Sequence, residues 1–214
     1  MPHVIERTRA VRAFRAASNR SSTVAIAAYP EKYNVEVLPT ESFLVVPKVS
    51  SIRREYLPIG WVEPPTIPSD LVFVLNSASK ATFGLLTSAM HMSWLRYIGG
   101  RLKSDYRYAI GQVYNTFPLP PATKAELNKL EPLAQAVLDA RTAHTSATLA
   151  DLYDPDLMPA NLRKAHQALD RAVDKLYRKS GFSSDSERVE HLLGLYEKMV
   201  VPLTTPKRKP KRNA

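Results

Sequence analysis

The sequence predicts an α+β fold: a small mixed or antiparallel sheet with helices, followed by an α-helical bundle. Three observations carry that prediction. FLVVPKV (43–49), YLPIGWV (56–62) and LVFVLN (71–76) are short, rich in β-branched and aromatic residues, and punctuated by proline. From residue 77 onward the apolar residues recur at spacings of three and four, the period of a helix with one buried face. Thr123 with Glu126, and Ser184 with Glu187, have the spacing of capping boxes that open helices.

Bulk properties set the limits. A chain of 214 residues buries a real core in one large domain or two small ones. Thirty Lys and Arg against twenty Asp and Glu give a formal net charge of +10, which favours an anionic partner such as nucleic acid or an acidic membrane surface. No apolar run approaches the ~20 residues a membrane-spanning helix needs. The N-terminal MPHVIERTRAVRAFR has no secretory apolar core. Without cysteine there are neither disulfides nor thiolate metal sites. These features together lead us to expect a cytoplasmic protein with no membrane partner.

Taken in order, His3–Asn19 reads as a helix on which Val4, Val11 and Phe14 share a face while Arg7, Arg9, Arg12 and Arg15 spread around the rest. Such a cationic helix serves either as a DNA contact or as a solvated connector. In the β-rich region that follows, Pro47, Pro58, Pro64, Pro65 and Pro68 cannot donate ladder hydrogen bonds, so edge or irregular strands are expected. Between two of these strands, Ser50-Ser51-Ile52-Arg53-Arg54-Glu55 forms a polar, cationic connection. A loop held by a sheet is a sound platform for reading bases; alternatively, Arg53 and Arg54 pair with Glu55 and Glu41. Ser77–Tyr97 reads as one helix with Phe83, Leu86, Met90, Trp94 and Tyr97 on its buried stripe and Gly99-Gly100 as a left-handed C-cap. His91 lies one residue off that stripe and reads as a structural or hydrogen-bonding residue.

Past the proline cluster at Phe117–Thr123 the chain reads as three helices in a small bundle. Leu127, Leu130, Leu133, Ala134, Val137 and Leu138 form the first stripe. Leu162, Ala165, Leu169, Val173 and Leu176 form the second, beginning near Pro159 and closed by Gly181. Val189, Leu192, Leu193, Tyr196 and Met199 form the third. His166 reads as a packed side chain, and Asp151, Asp154 and Asp156 as a turn and cap rather than a metal site. The domains are therefore expected at 1–121, 122–200 and a disordered basic tail at 201–214.

The stretch 88–121, SAMHMSWLRYIGGRLKSDYRYAIGQVYNTFPLPP, concentrates Arg96, Arg101, Lys103 and Arg107 with Tyr97, Tyr106, Tyr108 and Tyr114. Arg and Lys supply phosphate attraction and bidentate base contacts, and tyrosines supply stacking faces and hydroxyls. The bland alternative is a surface turn after a core helix. MHMSWLRYIGGRLKSDYRYAIGQVYNTFPLP resembles the MmeI-like DNA methyltransferases, many of them single-chain restriction-modification enzymes. PKVSSIRREYLPIGWVEPPTIPSDLVFVL (47–75) is similar to the family's target-recognition domain. LAQAVLDAR (133–141), ATLADLYDPDLMPANLRKAHQALDRAVDKLY (147–177) and ERVEHLLGLYEKM (187–199) are similar to its C-terminal helical domain. The resemblance implies double-stranded DNA as partner and Met1 as a start partway through a longer enzyme, with a separate catalytic methyltransferase domain or subunit as a second partner. It supports the region, within which the candidate contacts are Ser50, Ser51, Arg53, Arg54, Arg96, Arg101, Lys103, Tyr106, Arg107, Tyr108 and Asn115. Ile52 and Tyr97–Gly99 are candidate specificity positions.

The family's catalytic motifs have no counterpart here. An Asn-Pro-Pro-aromatic motif needs consecutive Asn and Pro, which the sequence lacks, and its 7 glycines form no Gly-rich cradle for S-adenosylmethionine. No hydrolase elbow, phosphate-binding loop or His-Glu-x-x-His metal spacing occurs. We therefore expect a non-catalytic portion of an adenine methyltransferase, with S-adenosylmethionine belonging to the parent enzyme's other domain. The competing expectation is an interaction module, or an inactive gene fragment, that binds a protein partner or polyanions through the first helix and the tail residues Lys207, Arg208, Lys209, Lys211 and Arg212. Deleting residues 203–214 separates the two. Target recognition predicts that selective DNA binding survives while the slope of log affinity against log salt falls by up to ~4.5, about 0.9 per lost phosphate contact. Loss of all DNA affinity favours the polyanion module.

Overall fold

The computed structural model describes residues 1–33 and 39–204, with the backbone alone at 202–204. The basic tail residues thus lie outside the described residues. The chain divides into two compact units, Met1–Leu38 and Pro39–Ala214.

The first unit holds α1 (Pro2–Ala16) and α2 (Ser21–Ala25). Helix α1 ends earlier than the sequence predicts and buries none of its residues; Phe14 is 78% exposed. Arg15 ties the unit together by donating to the carbonyls of Tyr29 (2.9 Å) and Lys32 (2.7 Å).

The second unit is built on two three-stranded antiparallel sheets. In one, β1 (Phe43–Pro47) lies between β3 (Gly60–Val62) and β4 (Val72–Asn76); in the other, β6 (Asp105–Arg107) lies between β2 (Val49–Ser50) and β5 (Gly100–Leu102). Strands β1 and β2 are one extended run that changes sheet at Lys48. Its N–H donates to Leu71 O (3.0 Å), extending the first ladder, and its carbonyl accepts from Tyr108 N (2.9 Å), extending the second. Only the last three residues of the expected strand 56–62 are paired, because Tyr56, Leu57 and Ile59 are instead sunk into the core.

The helix expected over 77–97 is two, α3 (Lys80–Leu86) and α4 (Ala89–Ile98), each with its own serine N-cap: Ser79 accepts from Thr82 N at 3.1 Å, and Ser88 from His91 N at 3.5 Å. The break shifts the phase of the stripe, so Tyr97 is 59% exposed while Phe83, Leu86, Met90 and Trp94 stay buried. Gly99 is not a left-handed cap. Its φ of −62° and ψ of 146° are extended, leading straight into β5. Glycine is needed there for space, because a Cβ would sit 2.4 Å from Leu95 O. A short π-helical turn (Ile110–Tyr114) then leads into the helical segment.

That segment comprises α5 (Lys124–Asn128), α6 (Glu131–Thr142), α7 (Leu149–Leu152), α8 (Ala160–Tyr177) and α9 (Asp185–Thr204). Pro132 splits the first predicted helix, and Asp151, read as part of a turn and cap, closes a capping box with Thr148 that opens the short helix α7. Residues from both sides of the proline cluster share one core, including Leu44, Phe83 and Trp94 with Ala134, Leu169 and Leu192.

Two histidines are sealed in that core. His91, fully buried, meets Tyr108 Oη at 3.0 Å, and burial pushes its pKa down to about 3. His166 meets Tyr153 Oη at 2.6 Å and is held well below 6.5 by burial and then by the charge of Arg141. Both are neutral when folded and take up a proton near pH 6.5 when unfolded. Their stabilisation is therefore complete above that pH and is lost as pH falls toward the folded values. Asp170, raised to about 6 chiefly by burial, works the other way, recovering stability as pH falls from about 6 toward 4. The net expectation is a loss of roughly 2–3 kcal/mol in urea-unfolding stability between pH 7 and pH 5. Equal midpoints at the two pH values would contradict it.

Candidate nucleic-acid interface

The β2–β6–β5 sheet has two unlike faces, fixed by its register. Ser50, Tyr106 and Arg101 are opposite one another on one face, where Ser50 and Tyr106 are buried and Arg101 lies exposed at the edge; Val49, Arg107 and Gly100 are opposite one another on the outer face, as are Asp105 and Leu102. The two-residue turn between β5 and β6 places Lys103 at a φ of 56°, the left-handed conformation that short hairpins use to match strand twist. Lys103 and Arg107 are exposed and have no side-chain partner among the described residues. Around them lie the exposed apolar side chains of Val49, Ile52 and Leu102. Asp105 Oδ1 accepts from Ile52 N at 3.2 Å, fastening the 51–55 loop beside this face.

The other predicted contacts separate clearly. Tyr106 and Tyr108 are 6% and 3% exposed, so neither offers a stacking surface. Tyr108 is spent on His91, and burial raises its pKa. Ser50 is 2% exposed, its hydroxyl 3.4 Å from Arg54 Nη1. Arg101 stacks over the Tyr106 ring at 4.5 Å and donates to the carbonyls of Arg96 (2.9 Å), Gly99 (3.0 Å) and Gly100 (3.2 Å), closing the C-terminal end of α4. Arg96 is half-buried between Asp185 Oδ2 (2.5 Å) and Glu55 O (3.0 Å). Ser51 Oγ accepts from Arg53 N (3.3 Å) within the turn, and Asn115 is exposed just past the π-helical turn.

Arg53 is exposed and paired with Asp156, while Glu55 pairs with Arg163 and Glu41 accepts from Ser77. Neither arginine of the loop thus takes the acidic partner that the sequence suggested. What sequence reasoning missed is the outward apolar set Val49 and Leu102, recognisable only once the register of two very short strands is known.

The geometry defines a basic α+β module: a small sheet with one cationic and apolar face exposed among the described residues, backed by helices. Residues 1–121 match the family of the MmeI target recognition domain, and residues 110–204 match the MmeI C-terminal domain. The chain belongs to the MmeI family. It is 40% identical over 198 residues to DNA methyltransferase A of Bacillus subtilis (strain 168), covering 92% of this chain and 22% of that protein. The solved structure of the Type IIL restriction-modification enzyme MmeI in complex with DNA superposes with a TM-score of 0.87 at 40% identity, over 94% of this chain and 27% of that one. The chain thus spans about a quarter of the length of the relatives it matches.

Substitutions sort the two classes of residue by stability. Tyr106→Ala and Tyr108→Ala are expected to cost about 3–5 kcal/mol, as large buried aromatics do. Lys103→Ala and Arg107→Ala should stay within about 0.5 kcal/mol. Chemical denaturation of the four variants tests this, and a destabilised Arg107→Ala would place that residue among the braces.

Proposed function

We propose that the chain is the DNA-binding target-recognition portion of an MmeI-like adenine methyltransferase, engaging double-stranded DNA through the outer face of the β2–β6–β5 sheet and the 51–55 loop. The observation that carries this reading is the pairing of two unpartnered cations, Lys103 and Arg107, with exposed Val49, Ile52 and Leu102 on one rigid face. Such a surface suits the major groove, where cations bond guanine edges or phosphates and apolar side chains meet thymine methyls. Arg54, at the rim, adds a phosphate contact, while Arg53 is held by Asp156 and braces the loop. Ser51 and Asn115 add polar ones. Arg96, Arg101, Ser50, Tyr106 and Tyr108 support the surface from behind.

On this reading, methylation and S-adenosylmethionine binding belong to a catalytic domain or subunit outside these 214 residues, and the setting is the cytoplasm, where such modification acts on DNA. No helix among the described residues is long and apolar enough to cross a membrane.

The direct test is selection of random duplex DNA on the purified chain at about 150 mM salt, which suppresses nonspecific phosphate binding. The expected result is an enriched motif of several base pairs. Arg107→Ala should then cost roughly 1–3 kcal/mol and relax preference at one base pair if it reads a base, or weaken all sequences alike and flatten the salt dependence if it holds a phosphate. Only salt-sensitive binding without a motif would count against a self-sufficient recognition module.

A further inference from the structure

The 51–56 loop is gripped mainly from outside its own sheet. Arg53 pairs with Asp156 in the turn before α8, and the Glu55 carboxylate pairs with Arg163 on α8. The Glu55 carbonyl accepts from Arg96 Nη2 at 3.0 Å, and Arg96 is itself held by Asp185 at the start of α9. Tyr56 donates to Asp170 Oδ2 on α8 at 2.6 Å. Within the loop, only Arg54 N to Ser51 O (3.1 Å) and Arg53 N to Ser51 Oγ (3.3 Å) are available. Fixing one residue's backbone costs about 1–2 kcal/mol, so two turn contacts cannot hold six residues in one conformation. One further bond comes from the loop's own sheet, Ile52 N to Asp105 Oδ1 at 3.2 Å, and the helical segment supplies the remainder. Ile52 is left at the tip, 47% exposed.

We propose that Asp156, Arg163, Asp170 and Asp185 are positioning residues for base recognition. The helical segment decides where the 51–54 loop enters the groove, and the selectivity of DNA binding depends on side chains that do not touch DNA. The inference rests on the reading of this loop as a DNA contact. It differs from simple fastening of helices to a sheet, which would move stability and leave selectivity alone.

The Glu55–Arg163 pair is the place to test it, because it is partly exposed and can be reversed. Three variants of the full chain are needed: Glu55→Arg, Arg163→Glu, and the double exchange. Amide hydrogen exchange without DNA should quicken by roughly tenfold at residues 52–55 in each single variant. Amides of β1 and β4 should be unchanged, and the double exchange should return the loop toward the original rate. In duplex selection the single variants should lose preference at one or two base pairs while keeping the rest of the motif, and the double exchange should restore it. Unchanged loop exchange in both single variants overturns the bracing. Faster loop exchange with an unaltered motif overturns its role in base recognition. Absence of any motif with the unsubstituted chain overturns the underlying DNA reading instead, a failure visible before any substitution is made.

Discussion

Asp170 is the joint on which the second unit depends. One carboxylate oxygen accepts from the hydroxyl of Tyr56 at 2.6 Å, and the other from the backbone N–H of Ala89, the first residue of α4, at 2.7 Å. A single side chain of α8 thus fixes the end of the 51–56 loop and the start of the helix that leads into the second sheet. Both donors favour the charged carboxylate, yet burial outweighs them and raises its pKa. A buried group with its hydrogen bonds made is far less costly than one left without them, so the three elements stand or fall together. Beside it, the aromatic rings of Tyr56 and His166 stack at 4.0 Å, and His166 continues through Tyr153 to Arg141, whose Nη1 donates to Ile59 O at 2.8 Å. Backbone on either side of Leu57 is therefore anchored by helices distant in sequence.

This joint explains why a sequence that divides cleanly at the proline cluster does not divide in its packing. Composition changes there from β-rich to helical, and the two family matches overlap between residues 110 and 121. The core ignores the change. Tyr177, on α8, donates to Pro118 O at 2.8 Å, inside the proline cluster itself. Helices with one apolar face have to bury it, and here the partner surface is the inner side of the sheets and of α3 and α4.

The helices were legible in the sequence because their signals are local. Apolar period and capping side chains lie within a turn of one another, and the Thr123–Glu126 box forms with both of its bonds. The strands were legible as segments but not as pairs. β2 has two residues and β3, β5 and β6 three each, too few for alternation to declare a face, and the switch of sheet at Lys48 has no local marker. The candidate site suffered for the same reason. Tyr106 and Arg107 are adjacent and equally suggestive in the sequence, but the pleat sends one inward and the other out. The break at Ser88 was misread as well, since a serine within an apolar run reads as tolerated until its side chain is seen capping a new helix.

A basic composition points to an anionic partner, but it does not locate the partner. Arg53, Arg96, Arg163, Arg178 and Arg188 are committed to carboxylates within the fold. Arg101 is committed to carbonyls and Arg141 to a carbonyl and a tyrosine hydroxyl. Arginine suits these places because its planar fork bonds several acceptors at once, which lysine does not do. Removing such residues loosens the surface they hold, so a loss of ligand binding on their substitution would not by itself identify them as contacts. Among the described residues, Lys103 and Arg107 are the cations of the second sheet with no carboxylate or carbonyl partner, and the Asp105 carboxylate on the same face accepts from Ile52 N instead. A partner that takes these two cations breaks no internal ion pair, so its attraction to them is offset only by the water they give up. Pairing within the fold, more than net charge, decides which basic residues of this chain are free to bind.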